Sequence, residues 1–282
     1  MEHLKQAGLD RFSDIVSGPD EYINLAEAAL LIAQREYPEL DPVPYLRRLD
    51  DLAGQCRARL AGDDAPAAII PVLNRFLFEE LGFRGDLETF NDPRNSFLND
   101  VLDRRQGIPI SLSLIYMEIG RRIGLPVQGV SFPGHFVVKV DSGGARIVLD
   151  PFAAGRTLDR RELERRLDDL SSRKRSDWDM ERLLATASNK GILARMIRNL
   201  KGIYLNREDW PRALDAVNLI LRIFPDAASE IRDRAHVHDQ MDSLRAAIQD
   251  YEQYLMLSPG SSDEQFVCVR LADLKHALAR LH

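Results

Sequence analysis

Cysteine is scarce in this chain, which has only Cys56 and Cys268 among its 282 residues. A disulfide framework needs a denser, even set of cysteines, so the scarcity favours a reducing compartment. Neither cysteine has a CxxC partner or a nearby histidine, and the sequence therefore carries no cysteine signal for a metal site. Cys56 falls on an apolar helical stripe, which is typical of a small core residue rather than a reactive thiol.

Long apolar runs and an excess of basic residues are lacking as well. No uninterrupted apolar run reaches about 18 residues, and the N-terminal segment has no charged-then-apolar signal pattern. The net charge of −6 disfavours a nucleic-acid-binding surface, which needs clustered basic charge. The arginine pairs 160–161 and 165–166 alternate with acidic residues, a pattern typical of a solvated helix face. We expect a soluble, cytoplasmic protein with no membrane, nucleic-acid, metal or cofactor partner.

The first 98 residues have apolar side chains at the spacing of amphipathic helices. The residues before Ser17 read as a polar start. The spacing then predicts three helices, over 21–35, over 44–60, and from after Asp64 to Leu81. Pro71 in the third helix indicates either a kink or two shorter segments. Residues 87–97 are predicted to form a loop.

Helix, strand and reactive side-chain signals coincide only in the stretch 99–152. A wide apolar stripe predicts a mostly buried helix over 110–123. Three strand-like runs follow it, at 127–132, 135–140 and 146–152. They are separated by Pro133-Gly134 and by the turn at 141–144.

The second of these turns relates a histidine to an acid. A two-residue hairpin loop at Ser142-Gly143 would place His135 directly opposite Asp150, whereas a three-residue loop would shift the pairing by one residue and weaken it. The two Cβ atoms would then be about 4.5–5.5 Å apart, within reach of a hydrogen bond between the side chains. A carboxylate that orients a histidine is what a general base requires. The alternative is a core histidine that a neighbouring acid satisfies for structural reasons only.

The segments RRQGIPISLSLIY, GLPVQGVSFPGHFVVKV and LDPFAAG, followed by helical repeats, resemble the SirB-type bacterial proteins. In that family a transglutaminase-like domain of the papain-like group precedes tetratricopeptide repeats. The resemblance implies that His135 is the catalytic histidine and Asp150 the catalytic aspartate. It also implies a nucleophilic cysteine at the start of the preceding helix, where this chain has none. Ser111 is the nearest equivalent and Ser113 the second.

Three roles for Ser111 follow from that departure. It caps the helix, it is a relic of a lost nucleophile in a binding pocket, or it is an active nucleophile. The last role needs a well-placed base and oxyanion donors, because a serine hydroxyl titrates far above a thiol. By analogy with papain-like sites, Gln106 is the candidate oxyanion donor.

The C-terminal third carries a helical repeat. Charged helices are predicted over 158–170 and 177–187, with an exposed linker at 171–176 between them. From about Asn189, tetratricopeptide positions are occupied twice at the diagnostic period. They are Leu200, Tyr204, Trp210, Ala213, Val217 and Pro225, then Leu244, Ala247, Tyr251 and Pro259. Arg234 and His238 stand where packing residues usually lie, and His236 and His238 are interpreted as polar-face residues rather than metal ligands.

The sequence therefore predicts an α+β fold. We expect a transglutaminase-like core with a mainly helical N-terminal layer (1–98), a helix-plus-antiparallel-sheet part (99–176) and an all-α repeat tail (177–282). The leading functional hypothesis is a non-catalytic or weakly catalytic protein that binds a protein or peptide partner through its repeats. The alternative is a serine-dependent amidase, peptidase or acyltransferase with a Ser111-His135-Asp150 triad. A third reading makes His135 and Asp150 a purely structural pair.

Overall fold

The computed structural model describes residues 2–62, 64–170 and 179–280. The chain divides into two compact units, Met1–Met196 and Ile197–His282. The divisions after residues 98 and 176 stay predictions, and residue 176 lies outside the described residues together with the rest of the predicted linker 171–176.

The first unit combines helices with short strands, and the described residues of the second unit form successive helices. The helices are α1 (Glu2–Ser17), α2 (Leu25–Ala33), α3 (Pro42–Arg57), α4 (Pro66–Asn74), α5 (Leu98–Arg104), α6 (Pro109–Arg122), α7 (Arg160–Leu170), α8 (Met180–Leu183), α9 (Asn189–Asn206), α10 (Trp210–Ile223), α11 (Ala228–Gln240), α12 (Leu244–Leu257) and α13 (Glu264–Ala279). The strands are β1 (Arg84–Gly85), β2 (Gln106–Gly107), β3 (Val127–Val130), β4 (Val137–Ser142), β5 (Ala145–Asp150) and β6 (Arg156–Leu158). The predicted α+β fold with a helical C-terminal tail is confirmed. Among the described residues, no helix has both the length and the apolar character needed to cross a membrane.

The N-terminal layer differs from the prediction at its start. Residues 2–17 form α1 instead of a polar start, because Phe12 and Val16 bury one face of the segment. The next helix begins at Leu25, since the Asn24 side chain caps it by accepting a hydrogen bond from the Glu27 N–H at 3.1 Å. α2 is buried almost throughout, which places it at the centre of this layer.

Pro71 lies inside α4 without ending it. The helix continues into a π-helical segment over Arg75–Glu80, in which the Leu81 N–H donates to the Phe76 carbonyl. The change of helical register is therefore spread over the turn that follows the proline.

The four-stranded sheet has the order β3-β4-β5-β6, and each neighbouring pair is antiparallel. The register between β4 and β5 differs from the predicted one. Ser142 pairs with Ala145, so the loop is Gly143-Gly144, and both glycines have positive φ, 58° and 83°. That conformation suits the twist of a two-residue hairpin and costs glycine no strain. The predicted loop at Ser142-Gly143 is wrong. Moving the loop by one residue changes each cross-strand partner by two residues, so every strand residue stays on its predicted face of the sheet.

The turn between β3 and β4 is longer than predicted, because β3 is shorter and β4 is displaced two residues towards the C-terminus. β3 ends at Val130 and β4 begins only at Val137, so His135 lies in the turn between them rather than in a strand. Further along the chain, the predicted helix 158–170 begins at Arg160, after β6. Of the predicted helix 177–187, the described part is helical only over α8.

One long-range contact closes the first unit. Asp20 accepts hydrogen bonds from the backbone N–H groups of Asn189 and Lys190, both at 2.8 Å. These are among the first N–H groups of α9, which have no partner inside the helix. A residue near the N-terminus therefore caps a helix near the end of the unit.

The second unit has the helical pairs that the repeat predicts. Ala247, Tyr251 and Val217 lie in one buried cluster, as the tetratricopeptide template requires. Arg234 occupies a packing position because Asp250 on α12 pairs with it, and His238 lies close to the same carboxylate. Arg234 binds both Asp250 oxygens, at 2.8 and 2.7 Å, and the His238 Nε2 lies 3.8 Å from Oδ2.

Candidate functional site

Asp150 is the most buried charged residue near the predicted site, with 1% of its surface exposed at the end of β5. Its Oδ1 accepts the Phe152 N–H at 3.1 Å and lies 2.9 Å from the His135 Nε2. Its Oδ2 accepts a hydrogen bond from the Arg166 guanidinium at 2.8 Å. Three donors thus converge on one carboxylate.

These donors keep Asp150 ionised. Burial alone would raise the pKa of the Asp150 carboxyl, because it disfavours the charged form. The hydrogen bonds and charges of His135 and Arg166 outweigh burial and hold that pKa below its usual value. The carboxylate is therefore a fixed negative charge beneath the imidazole.

His135 is oriented rather than fully buried. Its side chain is 19% exposed, and the Phe152 ring lies edge-on to the imidazole with centroids 6.0 Å apart. Asp150 engages Nε2, which leaves Nδ1 as the nitrogen that could meet a ligand. The predicted contact between His135 and Asp150 exists although His135 lies before β4 and outside the β4–β5 ladder, because the turn that precedes β4 brings the imidazole to the end of β5.

Arg166 is a site residue that the sequence did not reveal. Its position in the run 160–169 predicted a solvated helix face, but only 22% of its side chain is exposed. The amphipathic pattern of α7 does not distinguish an arginine that points to solvent from one that reaches a buried acid on another element. The Arg166–Asp150 contact spans 16 positions and needs the fold to form it.

Ser111 is not hydrogen-bonded to His135 in the described structure. Its hydroxyl is fully buried at the third position of α6, donates to the Asn95 carbonyl at 2.6 Å and accepts the Ile108 N–H at 3.0 Å. The serine therefore caps the helix backward, onto the N–H three residues before it, instead of forward as a cap usually does. Ser113 is buried as well, and its hydroxyl has no hydrogen-bond partner among the described residues.

Gln106 is turned away from Ser111. A Cβ on the neighbouring Gly107 would lie 2.6 Å from the Ser111 Oγ, so that face of β2 looks onto α6. Successive strand residues point to opposite faces, which places the Gln106 side chain on the other side. There its amide group faces the Arg84 guanidinium, and with the amide oriented so that its oxygen points to Arg84, that oxygen accepts hydrogen bonds from Nε and Nη2 at 3.1 and 2.6 Å.

An aromatic row leads from His135 to the surface. Phe152 packs against Phe90, which is 45% exposed, with ring centroids 6.2 Å apart. Leu87 in the same loop is 80% exposed. Asp86 holds this loop by accepting hydrogen bonds from the Thr89 hydroxyl and N–H, which lower the pKa of Asp86 to about 2. This loop thus displays apolar side chains at the surface, and one of them, Phe90, packs on the Phe152 ring that contacts the histidine.

Metal ligation has no geometric support at the positions that the structure describes, where no group of three or more His, Cys, Asp or Glu could hold an ion. Cys56 is buried in α3, and desolvation raises the pKa of its thiol to about 11. Cys268 is exposed on α13 in the second unit. Neither cysteine lies on α6.

Comparison with known proteins finds two family models that match successive parts of the chain. A model of the transglutaminase-like superfamily matches residues 44–198, and a tetratricopeptide repeat model matches residues 200–276. A UPF0162 protein of Xylella fastidiosa is 35% identical over 280 residues, which cover 99% of this chain and 100% of that protein. A UPF0162 protein of Pseudomonas aeruginosa is 35% identical over 259 residues, covering 91% of this chain and 93% of the relative. Human F-box only protein 21 is 29% identical over 169 residues, which are 56% of this chain and 26% of that protein.

Proposed function

Because the chain belongs to the transglutaminase-like superfamily, and within it to the UPF0162 family, we propose that it is a non-catalytic binding protein for a protein or peptide partner. The predicted order of a transglutaminase-like domain and tetratricopeptide repeats is confirmed, and this combination indicates a role in protein interaction. The finer proposal is that His135 and Asp150 form a recognition site and no longer perform acyl transfer.

The observation that carries the proposal is the state of the Ser111 hydroxyl. Acyl transfer with a histidine as general base needs a nucleophile that transfers its proton to that histidine. The Ser111 hydroxyl donates its proton to the Asn95 carbonyl instead and has no exposed surface. This arrangement supports the capping role for Ser111 and gives the serine-triad alternative no support.

The retained pair suits binding. An imidazole that is fixed by a buried carboxylate offers one ring nitrogen in a defined direction, next to the apolar edge of Phe152 and Phe90. Such a site recognises a hydrogen-bonding group flanked by an apolar side chain, which is a common feature of peptides. Partner binding would take place in the cytoplasm, a location that fractionation of cells would test.

A hydrolysis and transamidation test addresses the absence of catalysis. The purified full chain would be incubated with acyl-ester and anilide substrates, and with a glutamine peptide plus a fluorescent amine. We expect no turnover above buffer for the wild type, Ser111→Ala or His135→Ala. Turnover that Ser111→Ala abolishes and Ser113→Ala preserves would overturn the proposal and reinstate the serine enzyme.

A binding test addresses the partner. Immobilised wild type and His135→Ala would be compared for retained proteins, with each captured protein then purified and its affinity for both chains measured. We expect at least one purified partner to bind wild type more tightly than His135→Ala. If every captured partner binds wild type and His135→Ala with equal affinity, His135 is not part of the binding site.

A further inference from the structure

The turn that carries His135 has little regular structure of its own. It spans residues 131–136 between β3 and β4, and Gly134 within it has a φ of 66°. Inside the turn, the His135 N–H donates to the Phe132 carbonyl at 3.1 Å. Asp150 holds the end of the imidazole, but a second restraint is needed to hold the backbone from which the side chain extends.

Arg195 supplies contacts to that backbone from α9. Its Nη1 donates to the Ser131 Oγ at 2.6 Å and to the Phe132 carbonyl at 3.1 Å. Its Nη2 donates to the carbonyl of His135 itself at 2.7 Å. The guanidinium also lies over the Phe136 ring, 5.5 Å from its centroid. One side chain therefore contacts four of the six residues of the turn.

Arg195 has no carboxylate partner within the part of the chain that the structure describes. Burial is the cause that lowers the pKa of its guanidinium, with no acid to oppose it. A half-buried cation without a counter-ion costs free energy unless its donors are well used. Its three hydrogen bonds among the described residues all go to the His135 turn. A planar guanidinium holds two carbonyls and a hydroxyl in a fixed geometry, which the single ammonium of a lysine does not.

We propose that Arg195 is a positioning residue for His135, which clamps the 131–136 turn so that the imidazole meets Asp150 and faces the ligand side of the site. Only the statement that the imidazole faces a ligand rests on the proposed function. The contact itself is independent of whether the site binds a partner or catalyses a reaction. Asp150 and Arg195 fix the histidine from its two ends, side chain and main chain.

The test reads His135 directly. Wild type, Arg195→Met and Arg195→Lys would be treated as full chains with diethyl pyrocarbonate, and the modification rate of each histidine followed by peptide mass spectrometry. Arg195→Met removes all three hydrogen bonds to the turn, which should leave the imidazole more accessible to the reagent. We expect His135 to react about tenfold faster in this variant, a change within what the loss of charged hydrogen bonds supports. The lysine variant should react at an intermediate rate. The His135 ring signal in a carbon-resolved NMR spectrum should shift in the same order.

Arg121→Met is the matched control, because Arg121 also donates to a backbone carbonyl of β3, that of Val127 at 3.2 Å, without touching the turn. Its His135 rate should equal that of wild type. The other five of the six histidines serve as internal references. An unchanged or slower His135 rate in folded Arg195→Met would overturn the proposal, and so would an equal rise at all histidines. If Arg195→Met does not fold, Arg195→Lys decides in the same way. A failure here would leave the substrate assays of the proposed function untouched.

Discussion

The two buried serines of α6 differ in what their hydroxyls do. Ser111 joins the helix start to the Asn95 carbonyl, whereas the Ser113 hydroxyl has no partner in the described residues. We expect Ser111→Ala to lower the free energy of unfolding by about 1–2 kcal/mol, since it leaves the buried Ile108 N–H and Asn95 carbonyl with only the long hydrogen bond of 3.4 Å between them. Urea unfolding at pH 7 measures this difference.

Ser113→Ala is the control at the same depth. It removes a hydroxyl that makes no hydrogen bond, so we expect a change within about 0.5 kcal/mol, or a slight gain in stability. Equal losses in the two variants would contradict the assignment of Ser111 as a cap.

Asp150 predicts a pH dependence of stability. Its pKa is lowered in the folded state, so the folded carboxyl binds a proton less readily than the unfolded one, whose pKa is about 3.9. Its contribution is therefore present at neutral pH and is lost as pH falls through the folded pKa. We expect Asp150→Asn to cost about 3 kcal/mol at pH 7, because His135 and Arg166 lose their buried acceptor charge. The difference should narrow at pH 3 in urea unfolding.

Asp141→Asn is the comparison for that result. Asp141 is half exposed and pairs with Arg146 at the surface, so we expect a change below about 1 kcal/mol. A cost for Asp150→Asn that does not diminish towards pH 3 would contradict the role of the ionised carboxylate.

Single residues of the site were predictable where the chain brings them close together. His135 and Asp150 are 15 positions apart across one hairpin, and a hairpin pattern is visible in the sequence. Arg195 lies 60 positions from His135, and its signal is one arginine in an amphipathic helix. No local pattern distinguishes it from a surface arginine, because its role depends on how α9 packs.

At the scale of elements, the β4–β5 hairpin shows how a turn sets register. Gly144 has a φ of 83°, and a Cβ placed there would meet nothing within 4 Å. Gly144→Ala should therefore cost about 1–2 kcal/mol through backbone strain alone. Thermal and urea unfolding both measure the loss.

Gly54→Ala is the same substitution, but we expect it to change the free energy of unfolding in the opposite direction. Gly54 lies inside α3, and an added Cβ there also meets nothing within 4 Å. We expect a gain of about 1 kcal/mol from helix propensity. A loss at Gly54 comparable to that at Gly144 would mean that something other than φ governs the hairpin.

Element types were easier to predict than element edges. The apolar stripe of α6 and the three strand runs are visible because their periods differ. The turn was misplaced by one residue because Ser142-Gly143 and Gly143-Gly144 both resemble a hairpin loop in sequence. α1 was missed because its apolar positions are sparse and acquire meaning only where Phe12 and Val16 find a surface to pack on.

At the scale of the whole molecule, each compact unit has a core of its own. The cluster around Tyr251 is drawn entirely from α10 to α13, and Leu149 lies buried in the sheet of the first unit. Tyr251→Ala should cost about 3 kcal/mol. By hydrogen exchange, we expect amide protection to fall in α10–α13 and to stay unchanged in β4 and β5.

Leu149→Ala is the reciprocal variant and should lower protection in the sheet while sparing α10–α13. Loss of protection in both units for either variant would contradict two separate cores and indicate one cooperative body.

The Asp20 cap has a consequence for the order of folding. Its partners on α9 are 169 positions away, so that cap cannot form until most of the chain has left the ribosome. At about 5–20 residues per second, synthesis of that length takes roughly 10–30 s. In the first part of this interval, before α3 and α5 have been made, α2, apolar on nearly every face, lacks two of the helices that pack on it. A chaperone that binds exposed apolar helices would therefore act on the nascent chain during these seconds, well before the Asp20 cap can form.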